Sequence, residues 1–413
     1  MATTEPTEPQ RASTAPQQNE RPQVSLLTIF LTYLQIGAVA FGFAILQKLK
    51  AVVVEKRWMS DVEMNEGLAL VQLYPGPIMV DFTAYVGYKL RGVPGALVAT
   101  LGFILPSYFL MLVLSAAYFA SGRLTWIHPL FLGLEALVIG VIFNVTLEFA
   151  ERAIKGRIEA VIALGAFVAL LFKMNAIVIV LLALAIGALL LRPAGEQDKA
   201  AARPLPVVKP LSGRRWAAIA AVVGGMLAVA GFSWALHSDV GRMGLSFFQI
   251  GSVAFGNGTT ILPLIQSEIE EVHHWLTPAQ FADGIALGQI TPGPFLITAA
   301  FIGYKIGGIG AATLMTFAMF SPSFAMTLIF TEVFTRLRHL TAMRGALAGV
   351  LASFVGLLAT VIFQLGAVGL TGPIALAFAA GAFIAIRFFK LDVIWVFAGG
   401  LLLWAGLLVL RLA

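Results

Sequence analysis

The chain contains no cysteine among its 413 residues, which excludes a disulfide framework, a thiolate metal site and a cysteine nucleophile. Charge is equally scarce: Asp, Glu, Lys and Arg make up 12% of the sequence, against roughly 25% in a soluble globular protein. No Gly-x-x-x-x-Gly-Lys-Ser/Thr loop, Gly-x-Ser-x-Gly elbow or His-Glu-x-x-His pair occurs, which argues against an ATP-driven pump and against an intramembrane hydrolase or zinc peptidase. His273 and His274 follow Glu268, Glu270 and Glu271, but not at the spacing that puts metal ligands on one helical face. What remains is apolar: 59% hydrophobic residues and a mean hydropathy of +0.91. Apolar runs of about eighteen residues or more recur along nearly the whole length, so the fold class is an all-α polytopic membrane protein.

The net charge of +6 is spread over many short loops, which points to loop orientation and not to nucleic acid as a partner. Residues 1–25 are polar and rich in Pro, Thr, Gln and Glu, without the basic start and small-residue cleavage pattern of a signal peptide, so they are expected to form a disordered tail. Beyond them the sequence is written twice. Gln35 to Gly42 returns as Gln249 to Gly256, Trp58 as Trp275, and Gln72 with Pro75-Gly76-Pro77 as Gln289 with Pro292-Gly293-Pro294. Gly87-Tyr88-Lys89 matches Gly303-Tyr304-Lys305, Pro106-Ser107 matches Pro322-Ser323, and Phe172-Lys173 matches Phe389-Lys390.

The duplication divides the chain into a first repeat (26–191), a polar linker (192–213), one unpaired apolar helix (214–236) and a second repeat (241–413). About six hydrophobic segments per repeat plus the lone helix give thirteen crossings. An even number per repeat then predicts that the second half enters from the opposite face, making the halves inverted. With the N-terminus inside, that count places 18 of the 27 Lys and Arg residues on the inner side and 9 outside, in line with the positive-inside rule. Four of the nine, Lys48, Lys50, Lys56 and Arg57, sit in one dissenting loop. An arrangement in which the Pro-Gly-Pro segments re-enter without crossing, and Trp216 to Leu236 does not span, also moves that loop inside.

Both repeats place Pro-Gly-Pro within an apolar segment. Two prolines remove two amide donors and push the preceding residues from helical angles, so the helix breaks there. Pro77 and Pro294 suit the first position of a new helix, and Ile78 and Phe295 are expected to open half-helices whose free amides point back at the break. If the two breaks meet near mid-membrane, Pro75, Gly76, Pro77, Ile78, Pro292, Gly293, Pro294 and Phe295 form an anion site built from backbone and helix dipoles. Gln72 and Gln289 stand ahead of the breaks. Gly42, Gly256 and Gly258 allow close backbone approach to the same ligand, while Asn257 and Thr259 add hydrogen-bonding groups in the second copy only.

Asp81 lies about 6 Å along the helix from Pro77 and is a candidate proton-linked group, since an intramembrane carboxylate beside an anion repels it unless protonated. Its repeat mate is Thr298. Glu66 and Asp283 fall about 13 Å from the breaks, and Lys89 and Lys305 about 17 Å, depths that suggest interface or entrance charges, with the lysines snorkelling to headgroups.

These residues resemble the chromate ion transporters, in the long, two-domain bacterial form. The resemblance runs over about 26–411 and is most specific from Gly67 through Ala96 and from Ala282 through Lys305. The first-helix pattern departs from the family at Phe41-Gly42-Phe43-Ala44 and Phe255-Gly256-Asn257-Gly258. The resemblance implies a secondary carrier in the inner membrane, with no cofactor, that exports chromate and has sulfate as a related oxyanion. The lipid bilayer is its other partner, and a homodimer is admissible. A channel, or a carrier for another small anion, would use the same converging half-helices.

Overall fold

The computed structural model describes residues 24–41, 44–72, 74–120, 128–191, 213–256, 258–337, 341–370 and 372–410. The expected disordered tail, nearly all of the linker, Gly42 and Asn257 lie outside the described residues. The first half contains α1 (Leu26–Val39), α2 (Ala44–Glu55), α3 (Asp61–Val71), α4 (Ile78–Ala120), α5 (His128–Ala153), α6 (Arg157–Leu171) and α7 (Ala176–Leu190). The lone helix is α8 (Gly213–Ala235). The second half contains α9 (Asp239–Val253), a short α10 (Leu262–Gln266) that runs into a π-helical turn Ser267–Val272, α11 (Pro278–Ile290), α12 (Thr298–Leu337), α13 (Thr341–Gly369), α14 (Pro373–Arg387) and α15 (Val393–Val409). Five stretches among these helices are long and apolar enough to cross a membrane.

α4 and α12 are each two helices. Arg91 (φ −140°, ψ 21°) and Gly92 (φ 64°, ψ −151°) interrupt α4, and Gly307 (φ −148°, ψ 26°) and Gly308 (φ 61°, ψ −149°) interrupt α12 in the same conformation. The positive φ explains the glycine at the second position of each turn. Gly87 packs on Gly95 and Ala99, and Gly303 on Ala311, so the two arms of each helix lie side by side.

The Pro-Gly-Pro breaks also turn the chain back. Tyr85 in the first arm of α4 meets Gly67 of α3 and donates its hydroxyl to the Glu63 carbonyl (3.3 Å). Phe301 meets Gly284 in the same way. The first helices fold back too: the Tyr33 and Trp58 rings are 6.2 Å apart, and Ser246 of α9 donates to Glu268 of the π turn (2.8 Å). Each half therefore carries two helical hairpins, α1–α2 and α3–first arm of α4 in one, their counterparts in the other. An apolar run can therefore reverse on itself, as the segments 67–90 and 284–306 do. A hydropathy window sees an apolar run but not a reversal inside it.

Chain directions follow from end contacts. Arg91 Nη1 donates to the Val24 carbonyl (3.2 Å), so α1 and the second arm of α4 start on one face. That arm ends where Tyr118 and Phe119 meet Phe301 and Tyr304, near the turn from which the second arm of α12 starts. The α12 arm ends at Glu332, bonded by Tyr88 next to the α4 turn. The two arms are thus antiparallel, as the Tyr108–Thr313 hydroxyl bond (2.7 Å) requires. α8 begins at that first face, where Arg215 pairs with Glu332 (3.7 Å), and ends where Ser233 packs on Gly241 of α9.

Outside this centre, helices exchange partners between halves: α5 packs against α14 and α15, and α13 against α6 and α7. Lipid offers no hydrophobic driving force, so close backbone contact through small residues does the work. A Cβ at Gly140, Gly349 or Gly356 would meet the carbonyls of Ala379, Ala183 and Ala163.

Candidate functional site

The hairpin tips of both halves converge. Gly76 and Pro77 pair with Phe255 and Gly256 in a two-residue parallel bridge, and the Gly293 amide donates to the Ala40 carbonyl at the end of α1 (2.9 Å). Each Pro-Gly-Pro is thereby seated on the first-hairpin tip of the opposite half. The Gly293 N–H is thus taken by the other half, within the break and ahead of the first turn that follows Pro294. A buried amide in lipid must find a partner, and the nearest is the carbonyl that α1 leaves open where it stops.

The two breaks continue differently. Ile78 opens α4 directly, so the first amides of that arm have no partner within the helix. Phe295 instead opens a 3-10 turn, Phe295–Ile297, in which the Ile297 amide bonds the Pro294 carbonyl (3.1 Å), and the α-helix starts at Thr298. Gly293 adopts φ +93°, and a Cβ there would lie 2.9 Å from Ser107 Oγ and 3.4 Å from the Gly37 carbonyl. Pro292, Gly293 and Pro294 are buried, as are Gly76 and Pro77, while Pro75, Ile78 and Phe295 are half-buried.

Asp81 is fully buried (0% exposed) and its carboxylate lies directly on Gly76, filling the space a side chain would need. Ser323 and Thr327 of α12 flank it. Their hydroxyls donate to the Phe320 (3.2 Å) and Ser323 (3.0 Å) carbonyls while lying against the Asp81 carboxylate. Tyr74, just ahead of the break, shares a hydrogen bond with Thr327 (2.8 Å) and packs on Phe330. Thr298, at the matching place, is buried and bonds the Phe295 carbonyl (2.9 Å).

Gln289 is half-buried, with its Nε2 enclosed and unpartnered, whereas Gln72 is exposed at the end of α3. Gly258 is buried at φ +87° against Leu296, and Thr259 begins a 3-10 turn. Glu66 is exposed. Asp283, grouped with it as an interface charge, is buried (5% exposed) and accepts a hydrogen bond from Tyr118 (2.5 Å) across the halves, beside Glu135. The arm that follows Pro294 folds back over Asp283, and the second arm of α4 covers it through Tyr118. The Lys89 ammonium sits 5.4 Å from the Tyr85 ring centre and the exposed Lys305 5.2 Å from that of Phe119, which keeps both near the arm ends and away from the tips.

Ser107 and Ser323, each touching a Pro-Gly-Pro glycine of the other half or its neighbour, were not assigned to the site from sequence. Their signal is the Pro-Ser pair repeated at one offset. Among the described residues no three His, Asp or Glu side chains gather as a metal site. The centre can offer backbone amides, the Gln289 amide and hydroxyls to an anion, with one carboxylate alongside.

Among known proteins, the Chromate transporter family matches residues 27–188 and 241–405. An uncharacterized transporter of Methanocaldococcus jannaschii is 32% identical over 84% of this chain and 85% of its own length. Chromate transport proteins of Cupriavidus metallidurans (29% identical, 92% and 93% covered) and Pseudomonas aeruginosa (30%, 89% and 88%) align over nearly the whole of both chains. No solved structure matches the chain. With both halves matched over most of their length, this multi-pass membrane protein belongs to the chromate transporter family.

Proposed function

We propose that the protein is a secondary transporter that exports chromate, or a related dianionic oxyanion such as sulfate, across the inner membrane through the junction of its hairpin tips. The observation that carries this is the cross-seating of each Pro-Gly-Pro on the other half, through the Gly76–Phe255 bridge and the Gly293–Ala40 hydrogen bond. A site shared between two halves can open to either face as they rock, the alternating access of repeat-built carriers. In this reading the halves, 26–191 and 241–413, are inverted, joined by the linker 192–213 and the helix 214–236. The oxyanion contacts the amides following Pro77, the Gly256–Thr259 segment with Asn257, the Phe41–Gly42 end and Gln289. Asp81 is the proton-linked group, since it is fully buried against the Gly76 tip with no cation beside it among the described residues.

Orientation follows from charge. In this reading the hairpins do not cross and nine helices do, the second arms of α4 and α12 with α5, α6, α7, α8, α13, α14 and α15; the connections on the N-terminal face then carry 22 of the 27 Lys and Arg residues, leaving five on the other. The dissenting loop at Lys48 to Arg57 joins the majority, which supports a cytoplasmic N-terminus. Outward movement of a dianion is then favoured by about 4.6 kcal/mol per 100 mV of inside-negative potential, so export needs no ATP. The test is chromate uptake into everted vesicles with sulfate, molybdate and phosphate as competitors. Saturable uptake inhibited by sulfate is expected; absence of any chromate flux removes the assignment.

A further inference from the structure

We propose that the cavity beside the α4 turn is an anion-capturing vestibule that loads the oxyanion from the N-terminal face, and that among the described residues the matching turn of α12 has no equivalent, so the two entrances differ in charge. This rests on the transport reading above and adds a loading site to it. The cavity has a volume of about 680 Å³ and is lined by Lys89, Arg91, Arg215, Tyr88 and Glu332. Three cations against one carboxylate leave a formal surplus of two positive charges, the complement of a dianion. At about 30 Å³ per water the space admits an ion with its hydration shell, so capture here precedes the dehydration that the tips require.

The one-sidedness comes from the repeat. Tyr88-Lys89-Leu90-Arg91-Gly92 corresponds to Tyr304-Lys305-Ile306-Gly307-Gly308. The backbone at Arg91 and Gly307 is nearly identical, φ −140° against −148°, so the turn does not demand the arginine. Arg215 stands on α8, which has no repeat mate, and pairs with Glu332 (3.7 Å), which Tyr88 also bonds. The residue in register with Glu332 is Ala116. The other mouth keeps Lys305 and, behind it, the buried Asp283 and Glu135. A cleft lined by one sign of charge between low-dielectric walls concentrates counter-ions by tenfold or more. The geometry gives the α4 turn such a positive surplus, which the matching turn of α12 lacks among the described residues.

The absence of native cysteine permits a direct measurement. Leu90→Cys and Ile306→Cys, at matching half-buried positions, are each made in the full chain and reacted with two thiosulfonates of similar size, one bearing a sulfonate and one a quaternary ammonium. The anionic-to-cationic rate ratio is expected to be higher at 90 than at 306 by about tenfold or more, to fall with added salt, and to be lowered by sulfate. Adding Arg91→Gln or Arg215→Gln should cut it, while Arg91→Lys keeps it and shows that the fold is intact. Equal ratios at both positions, or a ratio at 90 indifferent to Arg91→Gln, overturn the vestibule. Because the reaction does not require transport, a preserved ratio without chromate flux in vesicles would sink the chromate assignment alone, and flux with a flat ratio would sink the vestibule alone.

Discussion

Gly293→Ala isolates what the tip geometry contributes. Two costs combine. Gly293 holds φ +93°, where an L side chain pays about 1–2 kcal/mol. The new Cβ would also lie 2.9 Å from Ser107 Oγ and 3.1 Å from Ser107 Cβ, where ordinary contact begins at 3.4 Å. The tip must therefore retreat from α4 by about 0.5 Å or rotate, and either motion strains the 2.9 Å hydrogen bond to Ala40. A misplacement of about 1 Å at a binding centre costs about a hundredfold, so half of that should lower chromate flux by roughly tenfold. The assay is initial uptake into everted vesicles, normalised to folded protein by gel filtration. Gly165→Ala on α6 is the control, since nothing lies within 4 Å of its added Cβ, and it should transport as wild type. Full flux in Gly293→Ala would show that the tip is not positioned as argued.

Asp81→Asn keeps shape and removes charge from a group that touches Gly76; flux should persist while its dependence on an imposed pH gradient disappears, and an unchanged dependence would remove Asp81 from coupling. Tyr118→Phe leaves Asp283 without its cross-half donor, at a cost of about 1–3 kcal/mol, read as a lower melting temperature in detergent; an unaltered melt would mean the bond is dispensable. Gly356→Val drives a side chain into the Ala163 carbonyl and should destabilise by about 1–3 kcal/mol, whereas Gly381→Ala, with open space around it, should not. Single cysteines at Lys56 and Lys155 should react with a membrane-impermeant thiol reagent from the cytoplasmic face and one at Lys173 from the other. Labelling of residue 56 from outside would favour the thirteen-crossing path.

What was legible in the sequence was covalent in origin. Proline has no amide, so the breaks at Pro75–Pro77 and Pro292–Pro294 could be placed to the residue, and the duplicated spacing marked which residues are equivalent. What was not legible was direction after each break. An apolar stretch such as 67–90 has the same hydropathy whether it crosses or turns back, and only contacts such as Tyr85 on Gly67 separate the two. That Asp283 is covered by Tyr118 of the other half was hidden for the same reason. The fate of the Gly293 amide was hidden because its partner, Ala40, is distant in sequence and belongs to the other half. The charges at Lys48 to Arg57 bear on the same question, since in the proposed orientation they lie on the majority side.

The most direct test of the central claim uses the bridge between halves. Pro77 and Gly256 are paired Cα partners, and neighbouring strands lie about 4.8 Å apart, within the reach of a disulfide. In the cysteine-free chain, Pro77→Cys with Gly256→Cys should form that bond under mild oxidation, chromate should slow its formation, and the bonded protein should lose chromate flux that reduction restores. No bond, or a bond that leaves flux untouched, would contradict a substrate site built where the tips of the two halves meet.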